Sequence, residues 1–145
     1  MRAIIQRVSG ASLVTGDHPP RAIGRGIVAL IGIEKGDSEA SVKRMAERLS
    51  SYRIFPDARG RMNLSVSDID GEILLVPNFT VAADTNKGTR AGFSTAAEPD
   101  EGERLFLALT EQLSTYPLAL KTGLFGADMQ ITLTNDGPVT FILES

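Results

Sequence analysis

An apolar run closed by a proline limits the folds open to this chain. Ile73-Leu-Leu-Val76 follows Glu72 and a turn-forming Asp70-Gly71, and Pro77 ends it. Apolar side chains at successive positions of a strand point to both faces, so the run predicts a strand buried on both sides. Pro77 has no N–H to give a ladder, so a central strand ends or bulges there. Asn78, Phe79 and Thr80 then stand where backbone N–H groups leave the sheet and become free to face a ligand. The plainer alternative is a strand end whose turn is capped by Thr80. Gly26-Ile-Val-Ala-Leu-Ile-Gly-Ile33 is the other continuous apolar run and also reads as a central strand.

The remaining segments supply partners for these two strands. Arg2–Val8 predicts an opening strand, and Ser12–Thr15 with Arg21–Ile23 predicts a hairpin around the Gly16–Pro20 turn. Asp37 and Ser38 are N-cap residues for a helix whose Val42, Met45, Ala46, Leu49 and Tyr52 share one face. Arg53–Phe55 and Met62–Val66 flank Asp57-Ala-Arg-Gly60 as a second hairpin. A long polar loop, 83–93, follows Thr80; a loop of this length in a compact fold is more often functional or mobile than idle. A second helix starts near Pro99, with Asp100, Glu101 and Glu103 in its first turn, buries Leu105, Leu109, Leu113 and Tyr116, and stops at Pro117. Leu118–Thr122, Met129–Thr134 and Val139–Leu143 read as three further strands. No linker or repeat divides residues 1–145. The expectation is a single α+β domain of mixed or antiparallel sheet, with two helices covering one side.

Composition excludes several functions. With no cysteine there is no disulfide or thiol chemistry, and the single histidine, His18, lies in a Gly-Asp-His-Pro-Pro turn, which argues against a zinc site, so no metal or other cofactor is expected. No apolar run approaches the ~20 residues that span a bilayer, and the first residues are too polar for a signal peptide. A cytoplasmic protein with no membrane contact is the expectation. The net charge of −3, from 15 Lys and Arg against 18 Asp and Glu, argues against broad nucleic-acid binding but leaves room for a local basic patch that holds a nucleic-acid end.

Gln6-Arg-Val8, Glu34-Lys-Gly-Asp37, Arg53-Ile-Phe55, Met62-Asn-Leu-Ser65, Asn78-Phe-Thr80, Ala83-Asp-Thr85 with Lys87-Gly88, Phe125-Gly-Ala-Asp-Met129 and Asn135-Asp-Gly-Pro-Val-Thr140 occur in this order. Together they resemble the D-aminoacyl-tRNA deacylases from the first strand to the last. The last two segments are the most specific. The resemblance implies a homodimer with active sites at the subunit interface, acting on the aminoacyl ester at the tRNA 3′ end. It implies that Gly137 and Pro138 form a cis pair that reaches into the partner's pocket and excludes L side chains; from sequence alone a Gly-Pro pair is simply a turn. Glycine lets backbone approach a ligand closely, and a backbone wall cannot move aside.

The other half of the implied site is Asn78, Phe79 and Thr80, with backbone N–H groups around Phe79 and Thr80 as oxyanion donors. Two mechanisms stay open: attack by Thr80, or attack by water helped by the 2′-OH of the terminal ribose. No His, Lys or Cys adjoins Thr80 in sequence to activate it, which favours water. Arg7 is expected to fix the partner's Gly-Pro loop, Lys87 and Arg90 to meet tRNA phosphates, Phe125 to stack on the terminal adenine, and Met129 to form a wall. For Asp84, Asp128 and Asp136 a turn-capping or solvated role outweighs acid–base work. The commoner family motif is Ser-Gln-Phe-Thr-Leu where this chain has Pro77-Asn-Phe-Thr-Val81. Asn78 keeps the amide on a side chain one methylene shorter. That change leaves two rivals to the hydrolase: a non-catalytic dimer that binds a tRNA end or small ligand, and an editing module with altered chiral preference.

Overall fold

The computed structural model describes all 145 residues. Eight strands and two helices make up the fold: β1 (Arg2–Val14), β2 (Arg21–Ile23), β3 (Gly26–Gly32), α1 (Glu39–Ser51), β4 (Phe55–Pro56), β5 (Met62–Leu64), β6 (Glu72–Pro77), α2 (Pro99–Ser114), β7 (Ala119–Thr122) and β8 (Gln130–Glu144). The α+β class is as expected, and the sheet is mixed. β1 pairs antiparallel with β2, β3 and β8, whereas β3–β6 and β6–β7 are parallel. No helix is long and apolar enough to cross a membrane.

The two apolar runs are the centre of the sheet, and their lack of polar positions follows from two cores. On one face Ile27, Ala29, Ile31, Ile73 and Leu75 meet Val42, Met45 and Leu49 of α1 and Leu105, Leu109 and Leu113 of α2. On the other, Val28, Leu74 and Val76 pack with Val8 and Leu13 of β1 and Ile23 of β2, and Met129, Ile131 and Leu133 lie against that cluster. Each such side chain contributes about 1.5–3 kcal/mol on burial, so alternation between two apolar faces holds the strands more firmly than any turn. β1 is long enough to serve both cores: its first half pairs with β3 and its second with β2, while β8 runs along it throughout. The expected separate strands at 2–8 and 12–15 are therefore one strand.

Three local expectations change. Met129–Thr134 and Val139–Leu143 are not two strands but one, β8, whose pairing with β1 shifts register between Gln6 and Gly10. The Asn135 side chain bridges the irregularity: its amide donates to Arg7 O (3.0 Å) and Val139 O (2.9 Å), and its oxygen accepts from Val139 N (3.2 Å). Asp37 does not share the α1 cap with Ser38; its carboxylate takes the Glu34 N–H at 2.7 Å and closes the preceding turn. α2 ends at Ser114, before Tyr116 and Pro117.

The turn between β5 and β6 carries a titration prediction. Ser65 is buried and gives both its N–H (2.8 Å) and its hydroxyl (2.7 Å) to Asp68. These bonds, the backbone one first, hold the Asp68 carboxyl below its ordinary value, with a weaker pull from Arg53. A group depressed in this way stabilises the fold above its unfolded value, and that contribution is lost as pH falls through the folded one. In Ser65→Ala, Asp68 is expected to titrate closer to the usual ~3.9. An NMR titration of the Asp68 carboxyl checks this; an unmoved midpoint would refute it.

Candidate functional site

The break at Pro77 gives a short 3₁₀ turn rather than an open strand end. Pro77 stands opposite Ile31, and the last sheet-like bond runs from Asn78 N–H to Ile31 O at 2.8 Å. The turn Phe79–Ala82 follows, with Asn78 as its N-cap. It lies close over β3, because a Cβ on Gly32 would come within 2.7 Å of Ala82 N. Asn78 Oδ1 accepts from Thr80 N (3.1 Å) and from Thr80 Oγ1 (2.5 Å). The expectation of a free Thr80 N–H is thus corrected: an Asn side chain is short enough to bond the amide two residues on. Its hydroxyl proton is likewise directed at Asn78, so the hydroxyl oxygen faces outward as an acceptor.

Beside this turn lies a cavity of about 550 Å³. It brings together Asn78, Phe79, Phe125 and Met129, four of the residues expected at the site. Phe125 serves the core as well: its ring is 6.3 Å from Phe106, and Gly102 of α2 has no Cβ where one would meet Phe125 Cζ at 3.1 Å. Met129 packs on Gly123, where a Cβ would lie 2.7 Å from its sulfur and 2.9 Å from Pro77 Cδ. One further part of the wall, which Phe93, Ala96, Ala97 and the start of α2 at Glu98–Pro99 provide, carries no local sequence signal. Phe93 tilts against Phe79 at 5.0 Å between ring centroids, and the rings are 46% and 61% exposed. A solvent-facing aromatic pair at a cavity mouth marks a surface suited to an apolar or π-faced ligand.

The other expected residues lie elsewhere. Thr80, Lys87 and Arg90 are exposed and outside the cavity lining. Gly137 and Pro138 are joined by a cis peptide bond, are exposed, and do not line the cavity of their own chain. Arg7 holds their loop: Nε donates to Asp136 O (2.8 Å) and lies 3.2 Å from the Asp136 carboxylate, while Nη1 donates to Ile54 O (2.7 Å). Asp84 accepts from the Asn86 N–H at 3.0 Å, a turn contact. No ionisable side chain hydrogen-bonds the Thr80 hydroxyl, whose partner is Asn78.

A central mixed sheet, two helices on one face and a cavity at a proline-broken strand end place this chain in a defined class. The family model for D-Tyr-tRNA(Tyr) deacylase matches residues 4–144. The chain is 53% identical over 143 residues to a D-aminoacyl-tRNA deacylase of Methylococcus capsulatus, covering 99% of this chain and 94% of the other. It is 49% identical over 144 residues to one of Marinomonas sp., covering 99% and 100%. Among solved structures, the c-Myc DNA Unwinding Element Binding Protein superposes with a TM-score of 0.93 at 40% identity, covering 100% of this chain and 99% of that one. The chain belongs to the D-Tyr-tRNA(Tyr) deacylase family. With that membership comes an enzyme class, the hydrolases that cleave aminoacyl-tRNA esters.

Proposed function

We infer that this chain hydrolyses D-aminoacyl-tRNA, and glycyl-tRNA with it, as a cytoplasmic homodimer whose subunits complete each other's sites. One observation carries the dimeric reading: Gly137 and Pro138 are exposed and braced by Arg7 and Asn135, yet stand outside the cavity of their own chain. A second copy supplies the cavity they would face. Their backbone then walls off the space of an L side chain, while a glycyl ester has no side chain to exclude.

The ester carbonyl sits at the Asn78–Thr80 turn, where the Phe79 N–H stabilises the developing oxyanion. With the Thr80 proton committed to Asn78, the Thr80 oxygen accepts a hydrogen bond from the attacking water or from the substrate. Water adds to the carbonyl carbon, the bond to the ribose 3′-oxygen breaks, and that oxygen takes a proton with help from the neighbouring 2′-OH. No group near Thr80 removes its proton, so a Thr80 ester intermediate is disfavoured. Phe125 and Met129 line the space for the terminal adenosine, and Lys87 and Arg90 stand on the loop that follows the turn, within the charge class phosphates require. No cofactor or metal takes part in this scheme.

The test is deacylation of matched D-aminoacyl-, L-aminoacyl- and glycyl-tRNA. Hydrolysis of the D and glycyl esters, with the L ester resistant, is expected; comparable turnover of the L ester would overturn the wall. Thr80→Val separates the two mechanisms. A positioning hydroxyl predicts a fall in kcat of about 10-fold to 100-fold. A loss beyond about 10⁴-fold, with a trapped acyl-enzyme in the unsubstituted protein, would make Thr80 the nucleophile.

A further inference from the structure

The geometry points to the β4–β5 hairpin as a docking surface for the phosphate backbone of an RNA stem, with Arg59 and Arg61 as its phosphate ligands. At the hairpin tip the Asp57 carboxylate turns inward, accepting the Arg59 N–H at 2.8 Å and the Arg61 N–H at 3.0 Å. Gly60, at φ 76°, closes the turn between them. Asp57 is thereby spent on the backbone, and the exposed guanidinium groups of Arg59 and Arg61 have no ion pair. Arg53 at the hairpin base is also exposed and binds a neutral partner, Asn63 Oδ1, at 3.0 Å. Arg25 lies over the Phe55 ring at 5.5 Å, again with no carboxylate.

On the two helices the exposed arginines are neutralised: Arg44 meets Glu47 at 2.9 Å, and Arg104 meets Glu39 at 2.6 Å and Glu101 at 2.9 Å, whereas Arg90 on the 83–93 loop is exposed with no ion pair. Uncommitted guanidinium groups gathered on one small hairpin are unusual in a chain of net charge −3. The other acid near them, Asp68, is held by Ser65 and exerts its attraction on Arg53 at the base, away from the tip. Between the tip residues runs a cleft of about 480 Å³ lined by Asp57, Arg59, Arg61, Met62 and Asn63 among others. Polar walls, fork-shaped donors and a wide opening suit a ribose–phosphate chain rather than an apolar ligand.

The hairpin is tied to the Gly137–Pro138 loop. Arg7 donates from one guanidinium to Ile54 O, just before β4, and to Asp136 O, beside Gly137. One side chain therefore joins the two. If the loop of one subunit faces its partner's cavity, the hairpin stands at the rim of that same cavity. The single-stranded end of a tRNA lies in one subunit and its paired stem rests on the other's hairpin. This step rests on the cross-subunit reading given above.

The experiment compares two substrates on the full-length protein: D-aminoacyl-tRNA, and a D-aminoacyl ester of adenosine that has no stem. For Arg59→Glu/Arg61→Glu, KM for the tRNA is expected to rise about 10-fold to 100-fold with kcat nearly kept, and the slope of log(kcat/KM) against log[salt] to flatten by about two. KM for the adenosine ester stays within about twofold, since no phosphate contact is involved. Lys43→Glu, a single charge reversal on the exposed face of α1 that shifts net charge by half as much, leaves the tRNA KM unchanged and controls for a general charge effect. Equal losses on both substrates, an unchanged tRNA KM, or an equal effect from Lys43→Glu would overturn the hairpin surface. If the unsubstituted protein cleaves neither substrate, the deacylase reading itself fails, a different result from any of these.

Discussion

Gly137→Ala is expected to lower hydrolysis of D-aminoacyl-tRNA by about 100-fold and to narrow the preference for D over L esters by a similar factor, because misplacing a site wall by ~1 Å costs that much. A Cβ at residue 137 would lie 2.3 Å from Val139 N and 2.7 Å from Val139 Cγ2. The side chain could turn aside; the backbone nitrogen cannot, because Val139 N is held by Asn135 Oδ1 and Val139 O by Asn135 Nδ2. The added methyl therefore displaces the 137–138 peptide itself, the group proposed to meet the substrate in the partner subunit. Both residues are exposed, so the loop can yield and the protein stays folded, at a cost in stability of about 1–3 kcal/mol. Single-turnover deacylation of D- and L-aminoacyl-tRNA, with a thermal melt alongside, separates the outcomes. Unchanged rates and unchanged selectivity in a folded protein would remove Gly137 from the site.

How much of this was legible in the sequence depended on whether one residue or several segments carried the information. Ile73–Val76 and Gly26–Ile33 announced central strands because two cores leave no polar position to mislead the reading. Asn135-Asp-Gly-Pro138 has the composition of a turn, so its sequence predicts two C-terminal strands. The chain instead continues along β1, since Asn135 replaces the ladder bonds that the irregularity interrupts. Asn78 and Phe79 were placed at a strand end by Pro77, and they do border the cavity. The hold of Asn78 on Thr80 was not visible, because Asn and Gln offer the same amide and only side-chain length decides whether it reaches the amide two residues on. The wall formed by Phe93, Ala97 and Pro99 was hidden for another reason: it is assembled where a long loop meets α2, and no local pattern connects those residues to Phe125.

The largest effect on folding is expected from Gly26→Ala. Gly26 opens β3 and stands opposite Glu72, the first residue of β6, in the parallel pairing. A Cβ there would lie 1.9 Å from Glu72 O, 2.7 Å from its carbonyl carbon and 2.8 Å from its nitrogen. Overpacking a core costs about 1–3 kcal/mol when side chains can yield. Here the obstacle is main chain, so the two central strands must part where they begin, and a loss above about 3 kcal/mol follows. For a chain of this size that is a fall in Tm of roughly 10 °C. Activity should fall with it, since the far end of the same pairing supplies Ile31 O, which holds the Asn78 N–H at 2.8 Å and so sets the turn beside the cavity. Thermal and urea unfolding of the variant decide the matter: a melt within about 1 °C of the unsubstituted protein would mean that β3 and β6 adjust at Gly26 far more freely than their buried, doubly packed course allows.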